Sequence, residues 1–476
     1  MILKGYLFSV GFASLCLALA FMLYKLGVPK QYTRKIVHIL VGFEWVILGY
    51  YFGPTYHFLI VCIFFLILLA LSHFLKLMPM ISSSGDNSPG TVYYAVAMTG
   101  GAILQIFVPD MILPFGIAIF CTSVGDGFAG LFGQLIKKYN PKVFKNKTLY
   151  GCISNFFFSF LGALLLSNLY GSPLKVWECL IIAYISTMLE LITGFGLDNI
   201  VITWAVTLLA FGFMYFDGIW GYIIAITVSP LIIAFAISKQ ALTRGGIAIA
   251  ILVDVAITVS LGDMGFTVLA VFFILSVVID KIKKLAKRSS EEQKDDCRDA
   301  IQVLANGLIP SVLALLSFAT GKAVFAVAFV AALAEAFADT AASGIGTFAK
   351  NTFDPFKMKR TERGLSGGMS LIGTLSSVVG ALIIGLIPMA FGYFNVRLWL
   401  VSAAAAFIGT IMDSLLGSLL QVKYRCTACG KITEKRMHCD LPTVRYSGHS
   451  FVDNDLVNLA GGVTAAGFAG LLVFIT

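Results

Sequence analysis

The chain has 476 residues, 58% of them hydrophobic and only 12% charged, about half the charged share of an ordinary soluble domain. That balance excludes a water-soluble fold, because no aqueous core hides so much apolar surface. The net charge of +9 calls for no nucleic-acid partner, since basic loops on a membrane protein ordinarily meet anionic lipid headgroups. In lipid the backbone must satisfy its own hydrogen bonds, so the apolar runs are helices or closed barrel strands. They are long and lack the period-2 alternation of barrel strands, which leaves an all-α polytopic membrane protein.

Taken in chain order, about sixteen runs of roughly 17–25 residues are long enough to cross a bilayer. They centre near Ser14, Trp45, Phe65, Gly100, Ile119, Phe160, Ser186, Leu208, Ile226, Val253, Phe272, Leu313, Phe329, Ser377, Ala405 and Leu471. The first is expected to be a retained helix and not a cleaved signal peptide, because no small-residue cleavage site follows it. If the spans alternate, every one of the 34 Lys and Arg except Lys4, Lys175, Lys322 and Arg397 falls on one face. The positive-inside rule makes that face cytoplasmic and puts both termini outside.

Six of the nine cysteines (Cys16, Cys62, Cys121, Cys152, Cys179 and Cys297) are scattered in apolar or loop positions and read as small hydrophobes. The other three, Cys426, Cys429 and Cys439, form C-x2-C-x9-C in the last basic loop, with His438 and His449 nearby. Three thiolates and one imidazole supply the four ligands of a structural zinc; unligated thiols are the alternative reading.

The polar landmarks repeat. Two tandem halves of about eight helices each, residues 1–240 and 241–476, carry the same kinds of motif in the same order. In the first, Gly125-Asp126-Gly127 opens a glycine-rich helix end. A basic loop follows, ending in Lys147-Thr148-Leu149-Tyr150-Gly151, and then come Glu190 and Asp198-Asn199. In the second, Ala338-Asp339-Thr340 precedes a basic loop ending in Arg363-Gly364-Leu365-Ser366-Gly367-Gly368-Met369-Ser370. Met412-Asp413-Ser414 and Asp453-Asn454-Asp455-Leu456-Val457-Asn458 follow. Asp126 and Asp339 end spans separated by an even number of crossings, so the repeats are expected to be parallel.

Ionisable groups at membrane level are costly and mark function by default. Asp126, Glu190, Asp339 and Asp413 are hard oxygen ligands of the kind Mg2+ takes, one or two carboxylates together with substrate phosphates. Glycine lets backbone N–H groups approach a phosphate, a helix N-terminus favours it, and Lys or Arg neutralises charge on a transferring phosphoryl group. Together these describe a magnesium-nucleotide site that lacks the P-loop signature. The competing reading is structural: small residues beside Asp126 and Asp339 let helices pack closely, and a lone Asp at a helix end is ordinarily a cap.

At these residues the chain resembles known families. From about Arg34 to Asn199 it resembles the phytol and dolichol kinases. That resemblance rests on Arg34-Lys35-Ile36-Val37-His38 with Gly42, Gly90-Thr91-Val92-Tyr93-Tyr94, the Asp126 motif, Lys147-Thr148 with Gly151, and Glu190 with Asp198-Asn199. From about Leu242 onward it resembles the phytyl-phosphate kinases. The residues there are Arg298 through Gly307, including Gln302 and Asn306, then Ala338-Asp339-Thr340, Gly364 through Gly373, Asp413 through Gly417, Cys426-x-x-Cys429, and Asp453 through Asn458. The second family's pattern leads one to expect an acid after Ser343, where this chain has Gly344.

The resemblances imply a bifunctional salvage kinase in which a prenyl alcohol becomes its monophosphate in the first half and its diphosphate in the second. They imply CTP, or ATP, as donor, Mg2+ as cofactor, and membrane lipids, an isoprenoid alcohol and an isoprenyl phosphate as partners. The implied catalytic set is Asp126, Glu190, Asp198, Asn199, Asp339, Asp413, Asp453, Asn454 and Asn458. An alcohol nucleophile also needs a proton acceptor: His38 is the candidate, and the alternative is that His38 only bonds a loop carbonyl or the nucleotide while Asp126 or Asp198 takes the proton. The implied nucleotide set is Lys147, Thr148, Gly151, Gln302, Asn306, Arg363, Gly364, Ser366, Gly367, Gly368 and Ser370. Two other classes stay open: a lipid cytidylyltransferase of the CDP-diacylglycerol synthase type, and a secondary transporter built from repeats.

Overall fold

The computed structural model describes residues 1–75, 89–136, 138–144, 146–171, 174–194, 196–215, 242–286, 297–361 and 365–475. The chain divides into two compact units, Met1–Asp217 and Gly218–Thr476; the expected junction at 240/241 lies outside the described residues.

In the first unit α1 (Ile2–Lys25), α2 (Lys30–Val41), α3 (Glu44–Phe52), α4 (Tyr56–Leu75) and α5 (Gly90–Phe107) lead to α6 (Ile112–Phe120) and α7 (Asp126–Leu135). A π turn over Cys121–Gly125 joins these last two into one span. A short hairpin, β1 (Lys142–Phe144) and β2 (Lys147–Thr148), precedes α8 (Leu149–Leu169), α9 (Val176–Ile192) and α10 (Asp198–Tyr215). The α6 helix is the centre. Leu113 through Ile119 are all buried, because α3, α8 and α10 pack around it. Close approach is set by glycine: a Cβ on Gly116 would sit 2.1 Å from the Trp45 ring, and one on Gly101 2.1 Å from the Phe115 ring.

In the second unit α11 (Arg244–Ala286) is followed by α12 (Ala300–Thr320), α13 (Ala323–Ile345), the hairpin β3 (Thr352–Asp354) and β4 (Lys359–Thr361), α14 (Leu371–Ala390) and α15 (Val396–Leu419). A four-stranded sheet comes next, made of β5 (Lys423–Cys426), β6 (Ile432–Thr433), β7 (Met437–His438) and β8 (Leu441–Ser447) in the order β6-β5-β8-β7, and α16 (Asn454–Ile475) ends the chain. Here α13 is the centre, buried without interruption from Val327 to Ala338 and packed by α12, α14, α15 and α16.

The protein is thus an α-helical polytopic membrane protein whose few strands lie in the loops. Among the described residues, 13 helices are long and apolar enough to span a bilayer, against the sixteen spans expected. The difference has three sources. The spans expected around Val253 and Phe272 are two helices that meet at Gly262, whose φ of 58° is not helical; α11 comprises both and is counted once. The Ser186 span is α9, a helix of 17 residues. The span at Ile226 lies outside the described residues.

One local arrangement occurs in both units. Thr148 caps α8 by accepting the Gly151 N–H at 3.4 Å, and Ser370 caps α14 by accepting the Gly373 N–H at 3.1 Å. A Cβ on Gly133 would lie 2.9 Å from the Thr148 hydroxyl and one on Gly151 3.1 Å from the Ala129 carbonyl. The same distances are 3.3 Å from Gly346 to Ser370 and 3.1 Å from Gly373 to Ala342. Asp126 stands three residues before Ala129, as Asp339 stands before Ala342.

Adding one methyl at Gly116 is expected to destabilise the first unit by about 1–3 kcal/mol, the usual cost of overpacking a full core. Thermal unfolding of Gly116→Ala in detergent reads this out; an unchanged transition would show that Trp45 yields without cost.

Candidate active sites

In the first unit the site is built where the α6–α7 span opens into its π turn. A π turn bonds i to i+5, and the Thr122 carbonyl within it is reached by His38 Nε2 at 3.1 Å. A carbonyl only accepts, so in the neutral ring Nε2 carries the hydrogen and Nδ1 is left as the acceptor. The next residue after the turn is Asp126, 4% exposed. Lys35 Nζ lies 2.6 Å from Asp126 Oδ2 and 3.3 Å from its carbonyl, with His38 Nε2 3.7 Å from the same carboxylate oxygen. Lys35, His38 and Asp126 therefore form one cluster, with the Tyr94 ring edge-on to His38 at 5.3 Å.

This cluster is one end of a cavity of about 630 Å3. Arg34, Asp198 and Asn199 join it at the polar end, while Leu17, Val41, Phe65, Leu69 and Met98 form apolar walls. Of the expected residues, His38, Asp126, Asp198 and Asn199 all line this space. Asn199 is fixed at the start of α10, its amide donating to the Gly90 and Gly196 carbonyls at 3.0 and 3.3 Å. Lys147 and Glu190 form a direct ion pair, and Lys147 is within electrostatic reach of Asp126 and Asp198. Farther along the same wall Glu44, 5% exposed, accepts from the Ser9 hydroxyl, and its Oε2 has no hydrogen-bond partner.

The glycines around Asp126 do structural work. Cβ atoms on Gly127 and Gly130 would strike Ile39 at 2.3 Å and the Lys35 stem at 2.4 Å, and one on Gly42 would strike the Ser123 hydroxyl at 1.9 Å. They let α2 lie on α7 closely enough for Lys35 and His38 to reach Asp126.

In the second unit the carboxylates gather on α13 and α15. Glu335, one helical turn before Asp339, is 1% exposed, and its charge acts on Asp339 and Asp413. Its Oε1 has no hydrogen-bond partner and lies where a Cβ on Gly461 would approach to 2.6 Å. With its amide oriented to satisfy both neighbours, Asn458 donates to Asp413 Oδ2 and to the Asn454 carbonyl at 3.2 Å each. Glu335 escaped the sequence reading, although its i, i+4 relation to Asp339 puts both on one helix face. Gly344 has a steric cause: a Cβ there would lie 2.2 Å from Ile279 of α11.

The Gly-hydroxyl loop of this unit is held from several sides. Phe353 and Met369 pair through N–H···O bonds of 2.9 and 2.8 Å. Gly367, at φ 84°, packs 2.5 Å (as a built Cβ) from Ser418, and the Gly368 N–H donates to Leu365 O at 3.1 Å. Glu434 accepts from both the Ser366 N–H (2.8 Å) and hydroxyl (2.6 Å), and Lys423 donates to the Ser366 carbonyl at 2.7 Å.

Other expected residues have local duties. Asp453 accepts from the Leu456 N–H at 3.1 Å beside the exposed Asn454 at the start of α16. Gln302 is spent in a capping box with Asp299; it and Asn306 line a separate cavity of about 110 Å3 that none of Asp339, Asp413 or Ser366 reaches. Arg363 and Gly364 lie outside the described residues. In the four-stranded sheet the ligand atoms of Cys426, Cys429, His438 and Cys439 all lie within 4.8 Å of one another. His449, also near in sequence, is not in that group.

Fold and sites together define a polytopic α-helical membrane protein with buried carboxylates inside its helices, Asp126 and Glu335 among them, and basic, glycine-containing loops. Residues 227–466, half of the chain, match the family described as Integral membrane protein DUF92, and the chain belongs to that family. It is 33% identical over 159 residues to a membrane protein of Methanocaldococcus jannaschii, covering 32% of this chain and 63% of that one, less than two thirds of the relative's length. It is 30% identical to the phytol kinase of Synechocystis, over 39% of this chain and 81% of that enzyme. To the chloroplastic protein VTE6 of Arabidopsis thaliana it is 27% identical, over 41% of this chain and 59% of that one. No solved structure matches the chain.

Removing Lys35 alone strands a buried carboxylate. Lys35→Met is expected to cost about 3–5 kcal/mol, the usual penalty for breaking a buried pair from one side, and the double variant Lys35→Met/Asp126→Leu to recover most of it. Thermal unfolding of the three proteins tests this; equal stability of the single and double variants would mean that Asp126 does not depend on Lys35.

Proposed function

We propose that this protein phosphorylates a prenyl alcohol in its first unit and the resulting prenyl monophosphate in its second. The observation that carries the reading is the cavity of about 630 Å3, with Leu17, Val41, Phe65, Leu69 and Met98 among its walls and Lys35, His38, Asp126 and Asp198 at its polar end. An isoprenoid tail suits the walls and a hydroxyl the polar end. The name of the Synechocystis relative, a phytol kinase, supports the same direction.

In the first unit His38 Nδ1 takes the alcohol proton as the oxygen attacks the terminal phosphorus of the donor. The bond to the leaving nucleotide breaks as the new P–O bond forms. Lys35 and Lys147, now paired with Asp126 and Glu190, are placed to neutralise phosphoryl charge. In the second unit the nucleophile is a phosphate oxygen that is already anionic near neutral pH, so no base is needed. The Ser366–Ser370 loop receives the donor phosphates, and Ser370 leads into the N-terminus of α14.

The two units differ in their fit to Mg2+. Glu335, with an unpartnered buried oxygen beside Asp339 and Asp413, suits a divalent cation, and these three residues would hold it. When bound, the ion neutralises charge on the transferred group. Glu335 also answers for the acid expected at Gly344. In the first unit Asp126 and Glu190 already face lysines, which supply positive charge there. CTP is the expected donor, ATP the alternative. The basic loops beside both sites favour the cytoplasmic face for each.

Purified protein given farnesol or geranylgeraniol and γ-labelled CTP is expected to label the lipid. In a parallel reaction with cytidine-labelled CTP, label in the lipid would indicate a cytidylyltransferase, and no γ-label in the lipid would sink the kinase reading. Asp126→Asn should abolish alcohol phosphorylation and spare that of the monophosphate; Asp339→Asn should do the reverse. His38→Ala should slow only the alcohol step, by at least about tenfold, or about 1.4 kcal/mol of barrier. An unchanged rate would remove His38 as the base.

A further inference from the structure

The sheet after α15 is too small to hold itself together. Residues 423–447 bury hardly any apolar side chain, and the strand β8 is mostly exposed along its length. Assemblies of this size need a disulfide or a metal, and no disulfide joins Cys426, Cys429 or Cys439.

The four side chains that converge there have the chemistry of a zinc site. Cys426 ends β5, Cys429 lies in the turn that follows, and His438 ends β7. His438 Nδ1 is 3.1 Å from Cys439 Sγ and 3.5 Å from Cys429 Sγ, separations close to those between neighbouring ligands of a tetrahedral Zn2+ with bonds of about 2.0–2.3 Å. The turn between β7 and β8 is built from Cys439 and Asp440, both left-handed at φ 53° and 56°. A two-residue turn of this kind ordinarily takes Asn, Asp or Gly. Cysteine is a costly choice there, and the turn brings its thiol back beside His438.

The same sheet grips the Gly-hydroxyl loop. Glu434, between β6 and β7, accepts both hydrogen bonds from Ser366, and Lys423 at the start of β5 donates to the Ser366 carbonyl. We propose that Cys426, Cys429, His438 and Cys439 bind one Zn2+, and that this metal, by ordering the sheet, holds the Ser366 loop in place through Glu434 and Lys423. The consequence for catalysis, a donor-phosphate loop preorganised by zinc, rests on the function proposed above; the metal and the clamp do not.

The full-length protein, purified in detergent without chelator, is expected to contain about one zinc per chain by elemental mass spectrometry. Cys429→Ser and Cys439→Ser should lose it, while Glu434→Gln should keep it. Chelation of the wild type should speed amide exchange at Ser366 by at least about tenfold (about 1.4 kcal/mol of protection), and added Zn2+ should restore it. Glu434→Gln should show the faster exchange with its zinc still bound. Wild-type protein without zinc, or full zinc in both cysteine variants, would overturn the site. Zinc present but Ser366 exchange indifferent to chelation would overturn the clamp. None of these readouts involves phosphate transfer, so a protein that passes them and fails to label lipid would contradict the kinase reading alone.

Discussion

Asp126 is a carboxylate placed where charge costs several kcal/mol to keep, and the first unit is arranged so that Lys35 can reach it. The amphipathic helix α2 must lie on α7 nearly backbone to backbone for a lysine to sit 2.6 Å from that carboxylate. Three glycines, Gly42, Gly127 and Gly130, remove the Cβ atoms that would prevent it. The π turn just before Asp126 leaves the Thr122 carbonyl within reach of His38. Those two positioned groups, a lysine and an oriented imidazole, then line the polar end of a cavity whose walls include Leu17, Val41, Phe65, Leu69 and Met98. The site follows from the solution to a burial problem.

The second unit repeats the hairpin, the hydroxyl cap and the glycine contacts but balances its acids differently. Glu335, Asp339 and Asp413 are brought within electrostatic reach of one another, and one Glu335 oxygen is left without a hydrogen-bond partner. A buried acceptor in that state is costly unless it is protonated or meets a cation. Its basic groups act on the loop instead: Lys423 holds the Ser366 carbonyl, and Lys357 bonds the Ser418 carbonyl at the end of α15. The first unit thus presents a carboxylate neutralised by lysine, and the second a cluster of acids.

Much of the membrane architecture was readable from hydropathy, because length and apolar composition alone decide whether a helix spans. The exact span count was not, since two helices follow one another directly across Gly262 and α9 is only 17 residues long. In the first unit Asp126 lines the cavity, and the glycines beside it serve helix approach, a role that sequence cannot separate from phosphate approach. Glu335 and Glu44 were missed because a single acid inside an apolar run gives no sign of its partner until the fold is known. Gln302 shows the reverse error. It belongs to a motif, but a capping box already occupies its side chain. The cysteine cluster was half readable: the thiol spacing was plain, while the choice of His438 over His449 depended on strand pairing.

The central claim is that the first unit's cavity holds a prenyl alcohol with its hydroxyl at Lys35, His38 and Asp126. A prenyl alcohol carrying a photoreactive diazirine at the far end of its tail tests this on the full-length protein in bilayers, read by peptide mass spectrometry. The account expects crosslinks on Leu17, Phe65 and Leu69, suppressed by excess unlabelled prenyl alcohol. Crosslinks spread over the lipid-facing helices and indifferent to that competitor would contradict it.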